Sequence, residues 1–287
     1  MNGDILRAYI SVDLEGLPGV VSTTMLSPWS SQFSLASKIA TRLVNTVVDE
    51  LYGNGFTEIL VADSHGLMTN INYLELDSRV DVIQGYPRPF SMVSGLTREY
   101  SAVFFIGYHS AAGTMHGVLE HTYSGRVFSE IRVNDIRASE FLINSLYAGE
   151  LGVPVAMLAG DEYLRKEVEM YLPWTVFIPL KKGVSRFAAY YPSLEKAERA
   201  LREGVKEACS KHRNRGLRVF QLEKPYRVEL VFRESLVADV LEAWDIMERV
   251  NAYTVRFSAE SARKMLGVIE LAAFVGSAID YFRANIK

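Results

Sequence analysis

Six side chains that can hold a metal ion fall just past apolar runs: Asp13, Glu15, Asp63, His65, His109 and Asp161. In an extended segment Asp13 and Glu15 point to the same side while Leu14 faces the other way. Two carboxylates held side by side repel unless a cation or protons intervene. Taken singly, each group has a plain reading. An isolated Asp-x-Glu is a solvated turn or a helix cap, and a lone histidine past a strand is a satisfied structural residue. Together they point elsewhere. Four of the five histidines (His65, His109, His116 and His121) lie between positions 65 and 121. Neutral imidazole with carboxylate is a zinc ligand set, and a shared carboxylate permits two ions about 3.5–4 Å apart.

The stretch from His109 to Thr122 is rich in small residues, as suits a loop that approaches a ligand closely. His116 and His121 compete within it for an acid/base or nucleophilic role. Glu140 opens an expected helix, where capping is the simpler reading and reaching a metal the alternative. Lys181, in Leu180-Lys181-Lys182, is a candidate for binding a peptide carboxylate, with a solvated surface lysine the equal alternative. Dinucleotide-loop, phosphate-loop, His-Glu-x-x-His and Gly-x-Ser-x-Gly patterns are missing from the sequence.

These residues need a scaffold that brings distant positions together. Tyr9–Val12, Ile59–Ala62, Val80–Ile83, Ala102–Ile106 and Val153–Leu158 read as strands. Helical patterns span Leu35–Tyr52, Ser139–Glu150 and a stretch after Asp161 through about Tyr171. Continuous apolar strands separated by helices predict an α/β fold, a mostly parallel sheet with helices on both faces. In such sheets ligands bind beyond the carboxyl ends of the strands. Residues 126–133 alternate toward an Asn134-Asp135 turn. The last third reads as a helix near 193–212, a strand at Tyr226–Phe232, a helix at Leu236–Met247, a strand at Tyr253–Phe257 and a helix at Ala259–Phe282. The expected division is therefore a metal-binding α/β domain over 1–190 and a smaller α+β domain over 191–287, the latter serving oligomerisation and supporting the substrate pocket.

The bulk properties narrow the class. With 287 residues, 49% hydrophobic and 23% charged, the chain can bury a large core. A net charge of −3 offers no basic field for nucleic acid. The single cysteine, Cys209, precludes an internal disulfide, fits a reducing cytoplasm and reads as an ordinary partly buried thiol. Without further cysteines a Cys-type structural zinc site is ruled out. Asp4 and Arg7 interrupt the start, so it does not read as a signal peptide. Glu270 and Asp280 within the apolar stretch Met265–Phe282 argue for a buried helix over a membrane span.

Seven short pieces in order carry a resemblance to a known family. They are Ser11-Val12-Asp13-Leu14-Glu15-Gly16, Asp63-Ser64-His65, Pro89-Phe90-Ser91-Met92-Val93, Gly107-Tyr108-His109, Val133-Asn134-Asp135, Ala159-Gly160-Asp161 and Ser185-Arg186. The set resembles the zinc-dependent D-aminopeptidases of the DppA type. The resemblance implies two zinc ions per subunit, held at Asp13, Glu15, His65, His109 and Glu140, with Asp13 bridging. It implies a catalytic histidine at His121, described in the family as the nucleophile; His116 falls where this chain's loop is one residue longer. It further implies release of N-terminal D-amino acids from short peptides and a homo-oligomer, a decameric ring in the family. Two departures stand out: Ser139-Glu140 replaces the family's Gly-Glu, and the loop from His109 to His121 differs in length and content. The rival expectations are a two-metal amidase or phosphoesterase, and a non-catalytic assembly protein whose metal staples strand ends.

Overall fold

The computed structural model describes residues 5–285; Asp4, used above in reading the start of the chain, lies outside them. In chain order the elements are β1 (Arg7–Val12), α1 (Phe33–Gly53), β2 (Glu58–Asp63), β3 (Asp81–Ile83), β4 (Ala102–Tyr108), β5 (Phe128–Val133), β6 (Ile136–Arg137), α2 (Glu140–Glu150), β7 (Val155–Asp161), α3 (Arg165–Tyr171), β8 (Val176–Ser185), β9 (Ala188–Tyr190), α4 (Leu194–Arg213), β10 (Tyr226–Phe232), α5 (Ser235–Leu241), β11 (Glu248–Asn251), β12 (Thr254–Ala259) and α6 (Ala262–Asn285).

Seven strands form the main sheet in the order β3-β2-β1-β4-β7-β8-β9. All its pairings are parallel except β8 with β9. Every residue of β4 and β7 is buried, because both faces of the sheet are covered. Alternation along β1 shows how. Ala8, Ile10 and Val12 pack with α1 and α4 on one face, while Tyr9 packs with α2 and the second sheet on the other.

The second sheet is antiparallel, five strands in the order β11-β12-β10-β5-β6. Its β5–β6 hairpin turns at Asn134 and Asp135, with φ of 49° and 65°, the left-handed pair of a two-residue turn. Between the sheets lies α2, buried at every position from Glu140 to Gly149. A helix enclosed on all sides is mostly apolar; Asn144 and Ser145 are buried polar residues within it, and its one buried charge, Glu140, needs a reason.

Both sheets, with the helices that cover them, draw on elements from either side of the 190/191 boundary expected from the sequence. Strands β5 and β6 leave the first half to complete the second sheet, and α4 from the second half covers the main sheet beside α1. Pattern reading assigns a strand to residues 126–133 but has no means of choosing its sheet, since pairing partners lie about a hundred residues away. The helix expected over Leu236–Met247 stops at Leu241, and β8 and β9 occupy a stretch that gave no clear strand pattern. Helix α6 is long and apolar enough to cross a membrane by length and composition, with mean hydropathy 1.6. Its buried side chains, among them Met265, Ile269 and Ala272, belong to the core shared with α2 and the second sheet.

Candidate metal centre

The ends of β1, β2 and β4 deliver the cluster. Parallel pairing sets Val12 beside Asp63 and beside Ile106, so the segments that follow leave the sheet side by side. The backbones then interlock: Asp13 N–H donates to Ile106 O at 2.8 Å and Gly16 N–H to Gly107 O at 2.6 Å. The approach leaves no room for a Cβ. One built on Gly107, where φ is +76°, would lie 2.0 Å from Asp13 O, and one on Gly16 2.0 Å from Tyr108 O. Glycine at both places is what lets Asp13 and His109 face each other.

Five of the six residues expected at the centre from the resemblance and the loop reading surround Asp13. Its Oδ1 lies 3.5 Å from His65 Nδ1, and its Oδ2 lies 3.5 Å from His109 Nε2. Glu15 Oε2 is 2.7 Å from His65 Nδ1. Glu140 Oε2 is 3.4 Å from His109 Nε2, and its Oε1 is 3.7 Å from His121 Nε2. Two groups of potential ligand atoms result, Asp13/Glu15/His65 and His109/His121/Glu140, with Asp13 between them. His121 thus stands close enough to act as a ligand as well as in catalysis.

Each imidazole is braced through its outer nitrogen. His65 Nε2 faces Leu26 O at 3.3 Å, His109 Nδ1 faces Ser110 O at 3.0 Å, and His121 Nδ1 faces Leu119 O at 2.9 Å. A carbonyl accepts only, so each of those outer nitrogens carries a proton, and the inner nitrogen is left to face the carboxylates or a cation between them. The rings of His109 and His121 stack at 4.1 Å and 15°. Glu140 is freed for the centre because Ser139 caps α2, accepting from Leu142 N–H at 3.2 Å. Tyr123 N–H fixes Glu140 Oε1 at 2.6 Å.

The electrostatics call for cations. Burial and then the charge of Glu15 push the Asp13 carboxyl well above the usual carboxylate range. Burial acts upward on Glu15 too, but the charge and hydrogen bond of His65 hold it well below that range. His109, although burial opposes its charge, is pushed up to about 10 chiefly by Glu140. His121 moves the other way, lowered by burial and by the charge of His109. Protons on the inner histidines substitute for positive charge that the carboxylates demand. Asp13 Oδ2 and His109 Nε2 are nevertheless buried with no hydrogen-bond partner. Buried polar atoms left unpaired and aimed at one another are what a divalent cation would satisfy, and the O/N donor set suits zinc. Residues and ion fit.

The other candidates fall outside this cluster. Asp63 accepts from Asn70 and Ile71 N–H, Asn70 Nδ2 and Gln84 Nε2 at 2.5–3.0 Å, shaping the turn that carries His65. Asp161 accepts from Ser110 Oγ at 3.1 Å and Val118 N–H at 3.2 Å, pinning the loop between His109 and His121. Lys181 is buried and donates to Val20 O, and it is not among the residues that line the cavity at the centre. His116 is exposed with a left-handed backbone, its carbonyl packed against Gly183. Cys209 is buried, its thiol pushed up to about 11 by burial.

A cavity of about 300 Å³ opens onto the centre. Asp13, Glu15, His65, His121 and Glu140 form one wall; Tyr86, Tyr123, Glu270 and Phe274 stand among the rest of its lining. Sequence reasoning missed this second set. Glu270 did give a signal, a carboxylate in an otherwise apolar helix, but it was used above only against a membrane span.

Comparisons with known proteins agree with the geometry. The model of peptidase family M55, described as D-aminopeptidase, matches residues 6–271. The D-aminopeptidase of Bacillus subtilis (strain 168) is 35% identical over 198 residues, 69% of this chain and 72% of that protein. The solved structure of the Zn-dependent D-aminopeptidase DppA from Bacillus subtilis, a self-compartmentalizing protease, superposes with a TM-score of 0.90. Its sequence identity is 28%, over 95% of this chain and 98% of that one. With a family match over nearly the whole chain and a shared fold, this protein belongs to the M55 family of D-aminopeptidases, metallopeptidases within the hydrolases.

Proposed function

We propose that the chain releases N-terminal D-amino acids from short peptides at a centre of two zinc ions. Asp13, Glu15 and His65 would hold one ion, and Asp13, His109 and Glu140 the other. The observation that carries this reading is Asp13 itself, a buried carboxylate whose two oxygens face two separate ligand groups, one of those oxygens having no partner. Zinc, when bound, supplies Lewis-acid polarisation of the scissile carbonyl and stabilisation of developing negative charge. His121 does the chain's own chemistry. Its shift toward neutrality and its Nδ1 contact with Leu119 O leave the Nε2 lone pair free to attack or to accept a proton. The rest of the lining excludes bulk water and orients the peptide.

We further propose a homo-oligomer, a decameric ring by the resemblance, with small peptides as substrates and the cytoplasm as compartment. The relative described as self-compartmentalizing supports the assembly, and the lone buried Cys209 supports a reducing surrounding. The test is metal analysis of the purified protein coupled to amino-acid release from D-Ala-D-Ala, L-Ala-L-Ala and a generic phosphoester. Two zinc ions per chain are expected, with D-Ala-D-Ala cleaved about a hundredfold faster than its mirror image. Equal rates on both dipeptides would remove the stereospecificity. Cleavage of the phosphoester alone would remove the peptidase reading.

A further inference from the structure

Besides the ligand cluster, the cavity lining has one more carboxylate, Glu270 of α6, and among the described residues that line it there is no lysine or arginine. A neutral group holds that carboxylate: Tyr86 hydroxyl donates to its Oε2 at 3.1 Å. The Tyr86 ring in turn lies flat on Phe274, one helical turn beyond Glu270, at 5.3 Å and 7°. The neighbouring cation is already committed: Arg88 donates to Ser91 O, Ile83 O and Asp63 O at 3.0, 3.0 and 2.6 Å. Among the described residues no ion pair reaches Glu270. A half-buried carboxylate oriented by a hydroxyl and left without a cation is poised for one that arrives with a ligand.

We infer that Glu270 receives the free α-ammonium group of the peptide and so sets the cavity's requirement for an unblocked amino end. This rests on the peptidase reading above. Held there, the amino terminus shares the cavity with the ligand cluster, and the scissile carbonyl carbon, two bonds from the α-nitrogen, is directed toward Asp13 and His121. Chain beyond the first residue leaves through the mouth, where the cavity offers no side-chain cation for a carboxyl terminus. Selection is then for one end of the peptide, by charge.

The decisive measurement compares two ligands that differ only at this group: D-alaninamide, with an ammonium, and D-lactamide, with a hydroxyl. Their binding to the zinc-loaded protein is measured by calorimetry for wild type, Glu270→Gln and Glu270→Asp, with zinc content checked in each and D-Ala-D-Ala kinetics alongside. Wild type is expected to prefer D-alaninamide by about tenfold or more, the usual range for a charge-assisted hydrogen bond. Glu270→Gln should bind the two alike and raise KM by a similar factor with kcat changed little. Glu270→Asp should restore part of the preference. A wild type that binds both ligands equally overturns the inference without any variant. So does a zinc-loaded Glu270→Gln that keeps the preference, because the amine would then be bound elsewhere. A wild type that prefers the amine yet cleaves no D-Ala-D-Ala leaves this subsite standing and removes the peptidase reading instead.

Discussion

Two parts of the cavity lining are built by different means. On the metal wall, ligands sit at the ends of parallel strands, their imidazoles braced by main-chain carbonyls and their carriers by interlocking backbone. In the rest of the lining, Glu270 is held by the hydroxyl of Tyr86, and Phe274 by a stacked ring. The first arrangement fixes positions before any ligand arrives, which preorganised catalysis requires. The second depends on side chains that rotate, and losing one contact there weakens selection without dismantling the site. Substitutions on the metal wall should therefore act steeply, and those in the rest of the lining in graded steps.

Asp13→Ala is the hardest blow to that contrast. With the shared carboxylate gone, zinc per chain measured by elemental analysis should fall, and kcat/KM on D-Ala-D-Ala should drop by about a thousandfold or more. Retention of both would show that Asp13 does not join the two ligand groups. His121→Ala comes next. Zinc content should stay at the wild-type value while kcat falls by about a hundred- to ten-thousandfold with KM nearly constant. A loss of zinc in this variant would instead make His121 a ligand, as its place 3.7 Å from Glu140 allows.

The smallest effect concerns a brace behind the metal wall. Glu167, raised from 4.5 to about 7 by burial, accepts a hydrogen bond from the Ser139 hydroxyl at 2.5 Å, beside the helix start that presents Glu140. A raised carboxyl binds its proton more tightly in the folded chain. The stability it gives is full below the ordinary value and is lost as pH rises through about 7. Thermal melts from about pH 5 to 8 should accordingly show Tm falling more steeply in wild type than in Glu167→Gln. Parallel slopes would mean that Glu167 does not titrate in that window.

How much of this could be read from the chain follows the same division. The strand ends of the metal wall were legible because each ligand follows an apolar run directly and parallel sheets gather such ends. Asp63 and Asp161 look identical to Asp13 by that criterion, yet they accept hydrogen bonds from the backbone of nearby loops. Position past a strand does not reveal where a carboxylate turns. Glu140 read as a cap by itself and as a ligand by resemblance; Ser139 takes the capping role and releases it. The rest of the lining was not legible. Glu270 lies 130 residues beyond Glu140 on a helix whose pattern speaks only of burial, and Tyr86 comes from a turn with no motif. The transfer of β5 and β6 to the second sheet was hidden for the related reason that antiparallel partners distant in sequence leave no local mark.

The clasp between Gly16 and Gly107 has a practical corollary for anyone reusing this centre. Since main chain, and not side-chain length, sets how far apart Asp13 and His109 stand, transplanting the ligands singly into another parallel sheet would not reproduce their spacing. Residues 12–17 and 106–109 form the portable unit, two crossing threads that must be moved together, glycines included.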